Sequence, residues 1–414
     1  MSFDIALSGI QAINEQLDTV SQNIANAGTY GYKSGRANFS ALVAGDQPEG
    51  TAVTSITQSI ALSGGILNTG RALDASINGR GFFITKAASG ETQYTRVGIF
   101  DTAKDGTLVD ASGRAVQGYA ITPGSSTLGA LGNISIPTGQ IPAVASGKLN
   151  FTANMSADWT VPTVDWTTMP PVTPTTPPDP ASFNSSQTTT IYDTLGTKHN
   201  LTQYFMASGT PGQVTVRYVL DGTDTGVAST LDFNPGNGQL VDISGTAVPP
   251  AISQVTLTGG PLASGATLNP INIDYTGTTF FAGKATTSTN LADGYSSGVY
   301  SSTEIAADGS VVAKYSNGQN QAIAKIALAT FPDEQALKAV DNTSWIATSD
   351  SGTPLAGVPG DGQAGQLNTS SLEQSNVDVT SELVGMMTSQ RNYQANSKVI
   401  QTESTMLQSL MQAI

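Results

Sequence analysis

The chain has 414 residues, length for two or three domains, and 38% apolar residues are enough to build real cores. Charged residues make up only 12%, about half the usual share of roughly 25%, and the balance is acidic at −14, which excludes a nucleic-acid surface or an anionic membrane as the partner: both need clustered Lys and Arg, and only 17 such residues are spread along the chain. There is no Cys, which excludes a disulfide framework, thiol catalysis and thiolate metal sites. That absence suits a protein passing unfolded through a narrow export channel, with compositional drift as the plain alternative.

Met1 to Ile10 has no basic leader and its apolar residues are spaced, so no cleaved signal peptide is expected. No run approaches the roughly 20 apolar residues of a membrane span, so a soluble chain is expected, without membrane insertion. Phe3, Ala6, Ile10, Ile13, Leu17, Val20 and Ile24 alternate three- and four-residue steps, predicting an amphipathic helix over 3–27 that stops at Gly28 as a left-handed cap. Its polar positions are Ser, Asn and Gln rather than Glu and Lys, so alone it is marginal in water. Residues 28–70 read as a connecting segment.

From about Leu73 the punctuation becomes that of strands and tight turns: Asn78-Gly79, Asp105-Gly106, Asp221-Gly222, Asn237-Gly238, Asp293-Gly294, Asp308-Gly309 and Asn317-Gly318. Val214, Val216, Tyr218 and Leu220, then Ile271, Ile273 and Tyr275, alternate in period two, so the interior reads as all-β. From Val161 to Pro180 prolines crowd among Thr, Trp159 and Trp166, which excludes a central strand and predicts an extended surface loop. Ser351 to Gly365 reads as a second flexible stretch. At the C-terminus Val379, Met386, Tyr393, Ile400, Leu407 and Ile414 recur every seven residues, with Leu383 and Met411 on the alternate seam among Gln390, Ser397 and Ser404. Asp378 is the expected N-cap, with Glu382 in the first turn. Such a chain clasps its two termini together, or against copies of itself.

Catalytic chemistry has little to stand on. His199 is the only histidine and sits in what reads as a hairpin turn, so no multi-His metal site exists and no catalytic role is assigned. Gly360 to Gly365 matches G-x-G-x-x-G, but no strand precedes it and no helix follows to cap a pyrophosphate. Asn133, Asn154, Asn184, Asn200, Asn342 and Asn368 fit the glycosylation pattern, which means little without a secretory signal, and 101–110 lacks calcium-loop spacing. The chain is read as no enzyme, with no cofactor and no metal.

The segment from Ser21 to Lys33 closely resembles the N-I-A-N-x-x-T-x-G-[FY]-K signature of flagellar rod and hook proteins, carried here by Asn23, Ile24, Ala25, Asn26, Thr29, Gly31, Tyr32 and Lys33. Gly65 to Asp74, Ile77 to Phe83, Tyr94 to Phe100 and Gly106 to Val109 continue the family blocks in order. Tyr192 to Gly196 with His199, Tyr204 and Phe205 resembles the outer β-domain of hook members. The stretches 293–319 and 327–331 resemble their inner domain where the chain returns. Leu372 to Val379, then Gln390, Arg391, Asn392, Tyr393, Gln394, Ala395, Asn396 and Ser397, match the C-terminal block. Ser21 and Gln22 stand where a further Asn is common, Tyr32 where Phe is frequent, and the Pro-rich loop follows no family pattern.

The resemblance implies an α+β multidomain chain whose N- and C-terminal helices form a coiled-coil core, with all-β inner and outer domains inserted between them. The expected parts are 1–27 and 378–414 as core helices, 28–70 and 345–377 as connecting segments, 71–145 with 285–344 as inner domain, and 146–284 as outer domain. It further implies a subunit of a curved, flexible tube that joins motor to filament and transmits torque. Its partners are then its own copies as a helical homopolymer, rod and hook-filament junction proteins, a hook cap during assembly, and the flagellar export apparatus. The expected self-assembly core is Phe3, Ile10, Ile13, Leu17, Val20 and Ile24 with Val379, Leu383, Met386, Tyr393, Ile400, Leu407, Met411 and Ile414. A distal rod protein of the same family, or an exported β-rich adhesin oligomerising through its terminal helices, are the alternatives. Gln390, Ser397 and Ser404 suggest a seam polar enough to slide, or else positions that face a narrow water-filled channel or pack against backbone.

Overall fold

Helix α1 (Ser2–Ala25) and helix α2 (Val379–Ala413) bracket a β-rich middle in the computed structural model, which describes residues 2–44, 47–122, 127–243, 246–247, 252–255 and 265–413. Asp378 caps α2, accepting the Thr380 amide and the Ser381 hydroxyl, each at 2.9 Å. The helices run antiparallel. Asn23 Nδ2 donates to Glu382 Oε1 at 2.9 Å, while fourteen residues away along each helix a Cβ on Gly9 would come within 2.8 Å of Asn396 Nδ2. α1 stops at Ala25 rather than reaching Ala27, and the left-handed glycine is Gly31 (φ 68°) rather than Gly28. The amides of Ala27, Thr29 and Tyr32 each bond the carbonyl three residues back, so the chain leaves the helix through tight successive turns.

The buried stripe of α1 is Ala6, Gly9, Ala12, Ile13, Thr19, Val20 and Asn23. Ile10, Leu17 and Ile24 are half-buried and Phe3 is 42% exposed. A strict seven-residue repeat drifts about 20° per heptad around a straight helix, so the row that is half-buried at Ile24 has turned outward by Phe3. On α2 the line facing α1 carries Glu382, Met386, Ser389, Asn396, Ile400 and Glu403, with Tyr393 at its edge, 38% exposed. Val379 and Leu383 are exposed beside it. In this register Ser2 stands level with Glu403, so 404–413 overhang α1, which is why Leu407 and Met411 are exposed. Ile414 lies outside the described residues. Gln390 and Ser404 face solvent and Ser397 is half-buried, so the polar groups that meet α1 are others, Glu382, Ser389 and Asn396 among them.

Residues 35–58, expected as plain connection, form a hairpin of β1 (Gly35–Ala44) and β2 (Gln47–Gln58). A two-stranded ribbon is marginal alone. α1 supports this one, with Asn23 exchanging two 2.8 Å bonds with the Gly35 backbone and Ser8 Oγ accepting the Thr51 amide at 3.2 Å.

The chain divides into two compact units, one of Met1–Thr138, Ser301–Lys314 and Asn320–Ile414, the other of Gly139–Tyr300 and Tyr315–Gln319. The first holds both helices and an antiparallel sheet in the order Asn320–Ile326, Ala115–Ile121, Phe82–Lys86, Thr92–Thr95, Ser344–Ile346 and Lys338–Val340. Its core packs Phe82, Tyr94, Phe331 and Trp345 edge to face, with ring centroids 4.8 to 6.1 Å apart. Trp345 Nε1 donates to Gln58 Oε1 at 2.7 Å, tying the hairpin's end to this core. Within the stretch expected to be flexible, Leu355–Gly357 pairs with Leu328–Thr330.

The second unit is a sandwich. A sheet beginning Ser185–Tyr192, Lys198–Ala207, Gln213–Leu220 and Thr223–Phe233 faces one centred on Lys148–Ser156. Val214, Val216, Tyr218, Ile271, Ile273 and Tyr275 are fully buried between them, as the period-two alternation predicts. Asp221-Gly222 closes a tight hairpin with both residues at positive φ (47° and 82°). Asp293-Gly294 makes no hairpin: Gly294 has no positive φ, and Asp293 accepts the amides of Gly147 and Lys148 instead. Neither does Asn78-Gly79, because Ala75–Asn78 pairs with Gln366–Thr369. The Pro-rich stretch is anchored rather than extended. It makes two short 3-10 turns, and Trp166 is buried against Met206 and Val219 with Nε1 donating to Asp224 Oδ2 at 2.8 Å.

His199 lies on a strand, not in a turn, with Nδ1 2.6 Å from Asp221 Oδ2 and Nε2 3.4 Å from Asp193 Oδ2. Burial pushes its pKa down, but the two carboxylates outweigh burial and raise it above 6.5. Asp193 is held below the usual carboxylate range, its burial outweighed by bonds from Thr197, His199 and Leu195. A raised histidine pKa stabilises the fold below the unfolded value and loses that contribution as pH rises through the folded value. Chemical denaturation at pH 6 and pH 8 should therefore show a stability loss at the higher pH that His199→Asn abolishes.

Candidate assembly site

The signature turn after α1 and the strands that return the chain to α2 meet in one buried junction. Ile66–Asn68 pairs with Ser371–Glu373, and Ala75–Asn78 with Gln366–Thr369, so the returning chain is threaded among the outgoing one. At the centre Glu373 accepts from Lys33 Nζ at 2.6 Å and from an Arg96 guanidinium nitrogen at 3.3 Å. All three side chains are within 2% of complete burial. The remaining donors are largely satisfied: Lys33 reaches the Leu62 carbonyl at 2.8 Å, Arg96 reaches the Gly79 carbonyl at 2.8 Å and lies over the Phe82 ring, and the Gly64 amide also donates to Glu373. Burial lowers the pKa of Lys33 and of Arg96, opposed in each case by Glu373.

The neighbouring signature residues close the same joint. Gly31 donates its amide to the Glu373 carbonyl at 2.8 Å, and a Cβ there would lie 3.1 Å from the Arg96 and Val97 backbone. Asn23 joins α1 to β1 and α2 and accepts the Tyr32 hydroxyl at 3.2 Å. Thr29 donates to Asn26 Oδ1 at 3.2 Å inside the turn. Asn376 accepts the Ser34 amide and donates to the carbonyls of Ser59 and Leu62. The sequence singles out Lys33 but neither Glu373 as its partner nor Arg96 and Asn376 as members of the same junction. The available signal was a lone Lys directly after a glycine-aromatic turn in a charge-poor chain.

The signature residues of α2 are placed differently. Gln390, Arg391, Tyr393 and Ala395 are exposed, and only Asn396 turns toward α1. Around them stand exposed apolar side chains: Val379, Leu383, Val384, Met387, Val399, Met406, Leu407 and Met411 on α2, Phe3, Ile5 and Leu7 on α1, and Phe39, Val43 and Ile56 on the hairpin. Ala25 is exposed and Ile24 half-buried. Exposed large apolar groups in this number exceed the scattered single ones ordinary on a protein surface. Among the described residues no cluster of three acidic, His or Cys side chains is arranged to hold a metal ion, and no helix is long and apolar enough to cross a membrane.

Four family models match in chain order: flagella basal body rod protein over 3–33, flagellar hook protein FlgE/F/G D1 domain over 76–154, flagellar basal body protein FlaE D2 domain over 154–295, and flagellar basal body rod FlgEFG protein C-terminal over 368–413. The flagellar hook protein FlgE of Escherichia coli K12 is 35% identical over 99% of both chains. That of Salmonella typhimurium is 34% identical over 99% of both. The chain belongs to the flagellar hook protein family. A third hook relative, from Brucella suis, is 31% identical over 98% of this chain and 96% of its own. The crystal structure of Helicobacter pylori FlgE2 is similar with a TM-score of 0.49 at 12% identity, over 73% of this chain and 99% of that one.

In this hook subunit the junction is expected to govern stability. Glu373→Gln leaves two buried cations without their counter-charge and should cost about 3–5 kcal/mol in urea unfolding. Lys33→Met keeps the Arg96 pair and should cost less. A Glu373→Gln chain as stable as the wild type contradicts this role.

Proposed function

We propose that this hook subunit polymerises through its terminal helices into a helical tube, with α1 and α2 of successive copies forming a coiled-coil core. Membership of the family makes it a structural subunit of the flagellar hook. The observation that supports helical polymerisation is the surface of α2: its apolar residues lie largely outside the α1 contact, and 404–413 overhang it entirely. Covering a large apolar side chain contributes about 1.5–3 kcal/mol, so a repeated helix-on-helix contact is strongly favoured over leaving this surface in water. Contacts between different patches on successive copies grow without closing, as a tube requires.

In this reading residues 71–145 and 285–344 form an inner domain, 146–284 an outer domain, and 28–70 and 345–377 the connections between core and wall. The tube acts as a universal joint outside the cell, stiff to twist along its helical core and free to bend as the outer parts shift. Its ends meet rod and hook-filament junction proteins, a cap guides its growth, and the subunit reaches the tip through the flagellar export apparatus. The core residues named from the sequence divide accordingly. Ile13, Val20, Met386 and Ile400 serve the contact within one chain, while Phe3, Val379, Leu383, Leu407 and Met411 serve contacts between copies.

Electron microscopy of the purified chain under polymerising conditions, beside a version lacking Val379 to Ile414, tests this. Tubes are expected from the full chain and none from the shortened one. A small closed oligomer or a lasting monomer from the full chain overturns the proposal.

A further inference from the structure

The two helices carry opposite charge on their free faces. α1 contains Asp4, Glu15 and Asp18 and no Lys or Arg, while α2 between Glu382 and Glu403 contains Arg391 and Lys398 and no acid. At 100° per residue the three acids of α1 fall within about 60° of one another, on the side away from Gly9, Ala12 and Asn23. On α2 Arg391 and Lys398 project about 160–180° from the line that faces α1. Glu15, Asp18, Arg391 and Lys398 are all exposed, and none has an ion-pair partner among the described residues. Each set is flanked by exposed apolar side chains, Leu7 (40%) on α1, and Val384 (54%) and Met387 (51%) on α2.

An acidic face with an apolar neighbour on one helix and a basic face with apolar neighbours on the other are complementary, yet they point away from each other within one chain. We infer that the occupant of each is a second copy of this chain: Arg391 and Lys398 of one subunit dock on Glu15 and Asp18 of the next. This rests on the reading that the subunits polymerise through their terminal helices. It adds the pairing that fixes which helix of one copy meets which helix of its neighbour. Apolar contacts alone are non-directional, whereas like charges set opposite each other penalise the wrong pairings, α1 on α1 and α2 on α2. Glu15 and Asp18 sit one turn apart, and Arg391 and Lys398 about 10 Å apart along the axis, so the two long cationic side chains converge on the acid pair from either side.

The test uses the full chain in four forms: wild type, Glu15→Lys with Asp18→Lys, Arg391→Glu with Lys398→Glu, and all four substitutions together. The readout is the critical concentration for tube growth, by sedimentation and electron microscopy, at low and high salt, with thermal unfolding of each monomer as the control for folding. Each double reversal is expected to raise the critical concentration about tenfold or more at low salt, and the fourfold exchange to return it to within about threefold of wild type. High salt should weaken wild-type growth. Double reversals that assemble like the wild type overturn the charge pairing while leaving helix-driven assembly in place. Folded double mutants that fail and are not rescued by the fourfold exchange also overturn it. Tubes from the chain lacking Val379 to Ile414 would instead remove the helix-driven reading itself.

Discussion

Glu373, holding Lys33 and Arg96 in a site closed to water, fastens together three stretches of chain between the helices and the first unit's sheet. Lys33 ends the turn that leaves α1, Arg96 follows the interior strand Thr92–Thr95 of the first unit's sheet, and Glu373 ends the strand that returns the chain to α2. Buried ion pairs are weak sources of net stability, because removing two or three charges from water consumes most of what their attraction returns. A misplaced register would leave a charge uncompensated in a dry site, which disfavours other threadings. Glu334, itself bound to Arg80 at 2.9 Å, adds a further negative charge near both cations and eases the excess of positive charge.

The β-rich parts of the chain and its helices differ in kind. The sandwich of the second unit and the sheet of the first are closed by aromatic and aliphatic cores and satisfied by their own contacts. The helices are not. Their mutual seam mixes small and polar residues, Gly9, Ala12 and Asn23 against Glu382, Ser389 and Asn396, with Ile13, Val20, Met386 and Ile400, while other large apolar side chains stand outside it. Ser389 Oγ is buried in that seam without a hydrogen-bond partner. The Asn23–Glu382 hydrogen bond and the close approach of Gly9 to Asn396 fix the register of this seam.

Much of this was legible in the sequence, and the rest was hidden for physical reasons. Long elements with a strict period, α2 with its Asp378 cap and the alternating strands at 213–220 and 271–274, were plain because each repeats one rule over many residues. The hairpin at 35–58 was not, since its strands lean on α1 and on Asn23 rather than on their own pattern. Trp166 looked like part of a loose loop because prolines exclude a central strand but do not exclude packing against one. At the junction the sequence displayed Lys33 and Glu373 as separate members of two blocks, and only folding shows that they touch. The seven-residue rows of α1 and α2 mark two long helices, but periodicity alone does not say which flank faces the partner helix.

Hydrogen exchange on the monomeric chain tests most directly the claim that the junction welds both termini into one rigid element. The Gly31 amide donates to the Glu373 carbonyl at 2.8 Å, the Gln374 amide to the Gly65 carbonyl at 2.7 Å, and the Ser34 amide to Asn376 at 2.7 Å. The account predicts that these three exchange only by global unfolding, as slowly as the amides of the central sheets, while those of 404–413 exchange rapidly until tubes form. Fast exchange at Gly31, Ser34 and Gln374 in a monomer whose sheets remain protected would contradict it.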